Sequence, residues 1–258
     1  MGDHVGLVLA GVVLTGPLAC AASQAVNDWY DRDVDAINEP NRPIPSGRVP
    51  GKWGLGIAIG WSALALFLGS ALGIRGVIAA LVATALSWAY SAPPLRLKRN
   101  GWYGNAAVGI AYEGLAWFTG AALLLAPVWP SWRVVALAAL YSAGAHGIMT
   151  LNDFKSIIGD SRAGVRSLPV QLGAERAGLV ACVVMLVPQV VVIALLAGWH
   201  KPWHALAIAL FVLTQLPLMR RMLEQPKERA AWYNGTGVTL YVIGMMVSAF
   251  ALRAAGGQ

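Results

Sequence analysis

The sequence has little charge for its length. Only 12% of its 258 residues are charged, whereas a soluble domain carries about 25%, and 57% are hydrophobic. This composition excludes a soluble enzyme and also excludes intrinsic disorder, which requires low hydrophobicity and high charge. The chain has two cysteines, Cys20 and Cys182, and no CxxC pair. Neither a disulfide framework nor a thiolate metal site is therefore indicated.

Long apolar runs make up most of the sequence. A membrane-spanning helix needs about 20 mostly apolar residues, and eight runs come close to or meet that length. The runs are 5–26, 53–73, 75–92, 104–125, 132–151, 177–198, 203–219 and 233–252. No basic residue precedes the first run, which is therefore predicted to be a retained helix rather than a signal peptide. The sequence predicts an all-α, polytopic transmembrane bundle of eight helices.

Basic residues are concentrated on one side of this predicted bundle. The loops that follow the odd-numbered runs, together with the start of the sixth run, contain 15 of the 19 lysines and arginines. Because cytoplasmic loops are enriched in lysine and arginine, these loops are predicted to be cytoplasmic and both termini external. Ten of the 12 acidic residues lie on the same side, which suggests that the chemistry takes place there.

A first acidic segment follows the first run and reads NDWYDRDVD from Asn27 to Asp35. Asp28, Asp31 and Asp35 are spaced by three and four residues, so they share one face of a helix, whereas Asp33 lies off that face. Like charges at this spacing repel, and at a membrane boundary their desolvation costs more. A cation is therefore expected among them, and oxygen-only ligands favour Mg²⁺.

A second acidic segment stands at the equivalent place after the fifth run and reads NDFKSIIGD from Asn152 to Asp160. Asp153 and Asp160 are seven residues apart, which predicts one helix face with Ser156 between them. The equivalent positions hint at an internal duplication of two four-helix halves. We expect the two segments to hold two Mg²⁺ ions around a diphosphate, where the metal neutralises charge on the leaving group.

Basic residues close to both segments are candidates for binding phosphate. Arg42 lies in a proline-rich loop after the first segment, and Lys98 follows a double proline after the third run. Lys155 and Arg162 accompany the second segment. For Arg42 and Lys98 the alternative is a topogenic cation that makes no substrate contact.

Two ionisable residues, Glu113 and His146, lie within apolar runs and are functional candidates for that reason. His146 precedes Asp153 by seven residues, which predicts that it lies deeper in the membrane beneath the acidic site. There it could ligate a metal, hydrogen-bond a substrate or form a structural bond between helices. Tyr90 is one of several aromatic residues that could stabilise a carbocation, with interfacial anchoring as the alternative.

Taken together, these segments resemble the UbiA superfamily of intramembrane prenyltransferases and, within it, the (bacterio)chlorophyll synthase branch. The similarity is carried by NDWYDRDVDAINEPNRPIPSGR, YSAPPLRLKRNGWYGN, YEGLAWFTGAA, AHGIMTLNDFKS…GVRSLPVQLG and WYNGTGVTLYVIGMM. Ser156 replaces the family's usual aspartate, as is typical of this branch, and Ile158 replaces an acid. The family usually has nine helices, so residues 1–258 are expected to form a single domain that lacks the family's first helix.

The resemblance implies a bundle whose central cavity opens to the cytoplasmic side. It also implies Mg²⁺-dependent transfer of a geranylgeranyl or phytyl group from its diphosphate to the propionate carboxylate of bacteriochlorophyllide a. The implied catalytic, metal-binding residues are Asp28, Asp31, Asp35, Asp153 and Asp160. Together with the patterns above, it predicts substrate contacts from Asn27, Arg42, Tyr90, Lys98, Glu113, His146, Asn152, Lys155 and Arg162. The expected setting is a bacterial inner or intracytoplasmic photosynthetic membrane, in association with other pigment-biosynthesis or photosynthetic proteins and without nucleic acid.

Several alternatives remain open at the level of sequence. A chlorophyll synthase, or an aromatic prenyltransferase that makes a quinone precursor, would share the metal chemistry. A CDP-alcohol phosphotransferase also uses aligned aspartates, but its Asp-Gly…Ala-Arg…Gly…Asp pattern is absent. A cation transporter should have its acidic residues near the bilayer midplane, whereas those of this chain lie at predicted helix ends.

Overall fold

The structure, a computed structural model, describes residues 2–253, apart from the side chains of residues 2–4 and 38. Within this part of the chain the residues form helices and turns without a β-strand, and one isolated bridge pairs Asn100 with Arg166. The predicted all-α class is therefore confirmed. The helices are α1 (Gly2–Val13), α2 (Ala19–Asn38), α3 (Trp53–Ala71), α4 (Gly73–Ser91), α5 (Gly101–Gly109), α6 (Ala116–Leu124), α7 (Trp132–Asp153), α8 (Ile157–Arg162), α9 (Leu168–Leu172), α10 (Ala174–Gly198), α11 (Pro202–Glu224) and α12 (Pro226–Arg253).

Eight helical stretches of the described chain are long and apolar enough to cross a membrane, and they coincide with the eight predicted runs. They are Val5–Ile37, Trp53–Ala71, Gly73–Ser91, Gly101–Leu124, Trp132–Arg162, Ala174–Gly198, Pro202–Glu224 and Pro226–Arg253. The chain is an integral membrane protein. Its first span extends well beyond residue 26, because α2 continues to Asn38 and carries the first acidic segment.

The chain divides into two compact units. Unit 1 comprises Met1–Lys98 and Leu115–Pro130, and unit 2 comprises Arg99–Gly114 and Ser131–Gln258. The fourth span contributes to both, since it is interrupted by a π-helical segment, Ile110–Leu115. The two units therefore differ from the predicted four-helix halves, because the first part of the fourth span packs on α7 in the second half of the chain.

In unit 1, α2, α3 and α4 pack against one another, while α1 packs on α6. Small residues allow α3 and α4 to approach closely. A Cβ atom at Gly69 would lie 2.7 Å from the carbonyl oxygen of Gly76 and 2.7 Å from the Cβ atom of Ala80. Such small-residue contacts are how helices pack in lipid, where the hydrophobic effect gives little attraction between them.

In unit 2, α7 packs against α5, α10 and α12, and α11 packs against α10 and α12. Buried polar side chains bond to one another across these helices. Gln189 on α10 and Gln215 on α11 exchange two amide hydrogen bonds of 3.2 and 2.9 Å. The hydroxyl groups of Tyr141 and Ser248 lie 2.7 Å apart. These four side chains thus satisfy one another inside the helix bundle, as buried polar groups in a membrane require.

Candidate active site

The last turns of α2 carry the first acidic segment, as the spacing of its aspartates predicted. Asp35 is buried, with 8% of its surface exposed, while the side chain of Asp33 is 85% exposed and lies 3.8 Å from Arg32. Asp33 is thus a solvent-facing residue, as expected from its position off the shared face. Asp28 accepts a hydrogen bond of 2.6 Å from the Gln24 amide one turn earlier.

Arg42 connects the loop after α2 to the acidic face of that helix. Its Nη1 atom lies 3.0 Å from Asp35 Oδ2 and 3.4 Å from Asp28 Oδ1, and its Nε atom lies 2.6 Å from Glu39 Oε2. Backbone hydrogen bonds from Arg42 to the Glu39 carbonyl and from Ser46 to the Arg42 carbonyl form the turns that hold it there. The hydrogen bond that Arg42 donates to Glu39 and the nearby carboxylates raise the pKa of Arg42.

Lys98 neutralises the third carboxylate of this face. Helix α4 ends at Ser91, and the following turn returns the chain to α2, where Lys98 Nζ lies 2.6 Å from Asp31 Oδ2. Arg96, in the left-handed region with φ of 41°, lies 3.6 Å from Asp31 Oδ1 and donates to the Tyr30 carbonyl at 3.0 Å. Burial lowers the pKa of Lys98, and the contact with Asp31 opposes that shift.

Two predicted substrate contacts lie beside this cluster. The amide of Asn27 donates a hydrogen bond of 3.4 Å to the buried hydroxyl of Ser91 on α4. Tyr90 precedes Ser91 and is half-buried. Unit 1 therefore brings together six of the predicted site residues, and all three carboxylates contact a basic side chain. These six are Asn27, Asp28, Asp31, Asp35, Arg42 and Lys98.

In unit 2, the second acidic segment departs from the predicted regular helix. Helix α7 ends at Asp153, a 3₁₀ turn follows over Phe154–Ser156, and α8 begins at Ile157. The regular helix implied by the seven-residue spacing is thus interrupted, while Ser156 still lies between Asp153 and Asp160 as expected. The Ser156 hydroxyl lies 3.2 Å from the Asp153 carbonyl oxygen and 3.3 Å from Asp160 Oδ2, and such bonding to the backbone competes with a regular helix.

Asn105 on α5 holds the Asp153 carboxylate and was not predicted. Its Nδ2 atom lies 3.1 Å from Asp153 Oδ2 and 3.2 Å from Thr150 Oγ1, and the residue is buried. The helix that carries Asn105 begins at Gly101, where a Cβ atom would lie 2.5 Å from the backbone nitrogen of Leu168. The only sequence signal for Asn105 is a polar residue in an apolar run.

Asn152 is also held by a residue that the sequence analysis missed. Asn234 on α12 donates a hydrogen bond of 3.0 Å from Nδ2 to the side-chain oxygen of Asn152. The Oδ1 atom of Asn234 is itself buried without a partner. Asn234 lies in the string WYNGTGVTLY, which contributed to the family resemblance without a role for this amide.

The second acidic segment differs from the first in its electrostatic partners. Within residues 2–253, neither Asp153 nor Asp160 forms an ion pair within 4.0 Å. Lys155 and Arg162 are exposed and are not brought into contact with these carboxylates. Among the described side chains, no group of three or more His, Cys, Asp and Glu residues could hold a metal ion unaided. Mg²⁺ is commonly held by one or two carboxylates with substrate phosphate, which this arrangement allows.

The two intramembrane candidates also lie in unit 2. His146 is buried on α7, and its ring centroid lies 5.6 Å from that of Trp102 at an interplanar angle of 31°. Its Nδ1 atom is buried without a hydrogen-bond partner. Glu113 is half-buried in the π-helical segment. In the described chain, no hydrogen bond or ion pair connects it to either acidic segment.

The chain is similar to known proteins over nearly its whole length. The model of the UbiA prenyltransferase family matches residues 2–252. The bacteriochlorophyll synthase 33 kDa chain of Cereibacter sphaeroides is 56% identical over 98% of this chain and 83% of its own length. The bacteriochlorophyll synthase 34 kDa chain of Chloroflexus aurantiacus is 44% identical over 98% of this chain and 80% of its own length.

The fold has relatives among solved structures. A UbiA homolog from Archaeoglobus fulgidus, bound to DMAPP and Mg²⁺, matches with a TM-score of 0.69 at 19% identity, over 94% of this chain and 88% of that one. The comparisons confirm the predicted prenyltransferase activity, and the high identity over nearly the whole chain supports the bacteriochlorophyll synthase type. The chain belongs to the UbiA prenyltransferase family.

Proposed function

We propose that this chain transfers a geranylgeranyl or phytyl group from its diphosphate to the propionate carboxylate of bacteriochlorophyllide a. The observation that carries the reaction type is the acidic face of α2, where Asp28, Asp31 and Asp35 contact Arg42 and Lys98. Carboxylates that bind a divalent cation and basic groups that bind phosphate are the two parts needed to hold a metal diphosphate. The identity to the two bacteriochlorophyll synthase chains supports the choice of acceptor.

Mg²⁺ is the proposed cofactor, held by the five aspartates of the two acidic segments. The donor set consists only of oxygens, which suits Mg²⁺, and neither carboxylate of the second segment forms an ion pair within 4.0 Å in the described chain. When bound, Mg²⁺ neutralises the negative charge of the diphosphate as it leaves. The Archaeoglobus homolog was solved with Mg²⁺ and DMAPP, which supports the same type of site in this chain.

Basic and amide side chains of this chain then bind and orient the diphosphate. Arg42 presents a forked guanidinium that can contact two phosphate oxygens at once, and Lys98 adds a compact charge. We assign orientation of the diphosphate to Asn27 and Asn152, whose amides are held by Ser91 and Asn234 respectively. Fixed donors aimed at developing charge stabilise it without reorganisation during the reaction.

The reaction exchanges one carbon–oxygen bond for another. The allylic C–O bond of the donor breaks with both electrons going to the diphosphate, and a propionate oxygen attacks the resulting cation to form the ester. No general base is needed, since a carboxyl group with a pKa of about 4 is ionised at pH 7. Aromatic side chains such as Tyr90 are assigned to stabilise the cation through their ring faces.

We propose that both acidic segments act on the same diphosphate. The reaction takes place on the cytoplasmic side of a bacterial inner or intracytoplasmic membrane. The chain forms a single domain that opens to that side. The concentration of basic residues in the loops after the odd-numbered spans supports this orientation. If the segments share one diphosphate, the effects of Asp31→Asn and Asp153→Asn on turnover will be strongly non-additive in the double variant.

The acceptor is tested with purified protein in lipid nanodiscs. Geranylgeranyl diphosphate and Mg²⁺ are supplied with bacteriochlorophyllide a, chlorophyllide a or 4-hydroxybenzoate in parallel, and both diphosphate release and the prenylated product are measured. We expect esterified bacteriochlorophyllide and loss of turnover when EDTA removes the metal. Prenylation of 4-hydroxybenzoate alone would overturn the proposed acceptor, and ion flux without diphosphate release would overturn the enzyme class.

A further inference from the structure

The Nδ1 atom of the buried His146 imidazole lacks a hydrogen-bond partner, although the ring interacts with the Trp102 backbone. The residue is 9% exposed, and its Nδ1 atom is fully buried without a hydrogen bond. Leaving a polar atom unpaired in an apolar interior costs free energy. The structural bond between helices that was one alternative for His146 is therefore not formed at Nδ1, and a ligand at this nitrogen would displace no protein partner.

The surroundings of His146 do not resemble a site for a free metal ion. Among the residues that the structure describes, His146 is not part of any group of three or more His, Cys, Asp and Glu side chains that could hold a metal. A free divalent ion needs several protein ligands. A metal already bound by four ring nitrogens of a macrocycle needs only one further ligand, and neutral imidazole is the commonest side chain for that role.

Trp102 provides a flat wall beside the imidazole. The two rings are inclined by 31° with centroids 5.6 Å apart, and 42% of Trp102 is exposed. Its position at the start of α5 is fixed because the Asn100 side chain accepts a hydrogen bond of 3.0 Å from the Trp102 backbone. Large aromatic surfaces favour offset stacking on other π-systems. Trp102 therefore flanks the imidazole and holds its plane, and a macrocycle ligated by His146 would lie across that plane.

The position of His146 along α7 suits the chemistry at the end of that helix. His146 precedes Asp153 by two turns, which corresponds to about 10 Å along the axis on the same face. The propionate lies at the edge of the macrocycle, away from the central metal. A macrocycle centred on His146 therefore directs its edge toward the acidic segment, where the proposed transfer takes place.

We propose that His146 is the axial ligand of the Mg²⁺ at the centre of the bacteriochlorophyllide macrocycle and that Trp102 holds the imidazole in orientation. This inference rests on the proposed function and specifies how the acceptor is bound. His146 acts as a binding residue that selects metallated pigment, since a macrocycle without its central metal cannot accept the imidazole nitrogen.

The experiment compares bacteriochlorophyllide a with its metal-free form, bacteriopheophorbide a, binding to purified full-length protein in nanodiscs. Affinity is measured by titration, and axial ligation is followed by the Qx absorption band, which responds to the number of axial ligands. The variants are His146→Leu and His146→Ala, with His204→Leu on α11 as the matched histidine control. We expect the wild type and the control to prefer the metallated pigment by about tenfold or more.

His146→Leu should bind both pigments with equal affinity and lack the Qx shift. Added imidazole should restore the shift in His146→Ala, because it occupies the space left by the side chain. Two results would overturn the inference while leaving the proposed function intact. The wild type could esterify bacteriochlorophyllide but bind both pigments equally, or the Qx band could stay unchanged in His146→Leu. Failure of the wild type to esterify or bind either pigment would overturn the proposed function itself.

Discussion

The ammonium group of Lys98 lies 2.6 Å from the carboxylate of Asp31, although 67 positions separate the two residues in the chain. The Lys98 side chain is 11% exposed, compared with 22% for Asp31. An ion pair shielded in this way is weakened little by salt. The contact fixes the turn after α4 to the acidic face of α2. In the proposed function, this places a positive charge for the diphosphate before substrate binds.

Replacing Lys98 should therefore affect catalysis more than binding of the prenyl chain. We expect Lys98→Met to lower kcat for diphosphate release by about 100-fold or more, the usual effect of removing a group that stabilises developing charge. Lys98→Arg keeps the charge and should retain more activity. Steady-state kinetics in nanodiscs measure both variants. Wild-type kcat in Lys98→Met would show that this side chain is only topogenic.

Two aspartates of the same segment provide a matched pair for the metal assignment. Asp31→Asn removes a proposed Mg²⁺ ligand and should reduce turnover by about 1,000-fold, which corresponds to ~4 kcal/mol of transition-state stabilisation. Asp33→Asn changes an exposed carboxylate and should leave turnover near the wild-type value. Pigment esterification is measured at equal amounts of membrane-inserted protein. Near-normal turnover by Asp31→Asn would contradict the assignment of Asp31.

Asn105 should control metal affinity through Asp153. Removing its amide in Asn105→Ala leaves the Asp153 carboxylate without the donor that orients it. Loss of a group that holds a metal ligand typically costs 10- to 100-fold in affinity, so the Mg²⁺ concentration for half-maximal activity should rise by about that factor. Ser248→Ala, which breaks a buried bond to Tyr141, is the control for general destabilisation. If both variants had the same Mg²⁺ concentration for half-maximal activity, Asn105 would not control metal affinity.

The glutamine pair of unit 2 should contribute to stability and not to catalysis. Gln189→Leu leaves the Gln215 amide without its partner, and we expect the free energy of unfolding to fall by about 1 kcal/mol. The double variant Gln189→Leu/Gln215→Leu should recover much of this loss, because no unpaired amide remains. Equilibrium unfolding in mixed micelles measures the cycle. Additive losses would show that the two amides do not stabilise each other.

The orientation in the membrane is tested with single cysteines. Cys20 and Cys182 are first replaced by alanine. Ser46→Cys then probes the loop after α2, and Ser131→Cys probes the turn before α7. Both positions are exposed. We expect a membrane-impermeant maleimide to label only position 131 in intact spheroplasts and position 46 after permeabilisation. The reverse pattern would invert the topology and place the acidic segments outside.

Charge and hydropathy made much of this structure predictable from the sequence. The apolar runs located the eight spans, and the three-and-four spacing placed Asp28, Asp31 and Asp35 on one helical face. Lys98 was predicted only as a phosphate contact, and its ion pair with Asp31 was not foreseen. The signals that succeeded depend on residues close together in the chain.

Other features depend on contacts that local patterns do not contain. Asn105 and Asn234 are neutral amides whose partners, Asp153 and Asn152, lie 48 and 82 positions away. Both lie in strings that carry the family resemblance, but spacing and composition alone assign them no partner. The end of α7 at Asp153 was missed for a different reason: the seven-residue spacing fits a regular helix, while hydrogen bonding by Ser156 favours a turn.

The division of the fourth span between the two units has a consequence for biosynthesis. Leu115–Pro130 belongs to unit 1 but leaves the ribosome after Arg99–Gly114, which belongs to unit 2. Neither unit is therefore a contiguous product of translation. The nascent chain must keep α5 without its neighbour until α7 has been synthesised and inserted, so the two units mature in an interleaved order instead of one after the other.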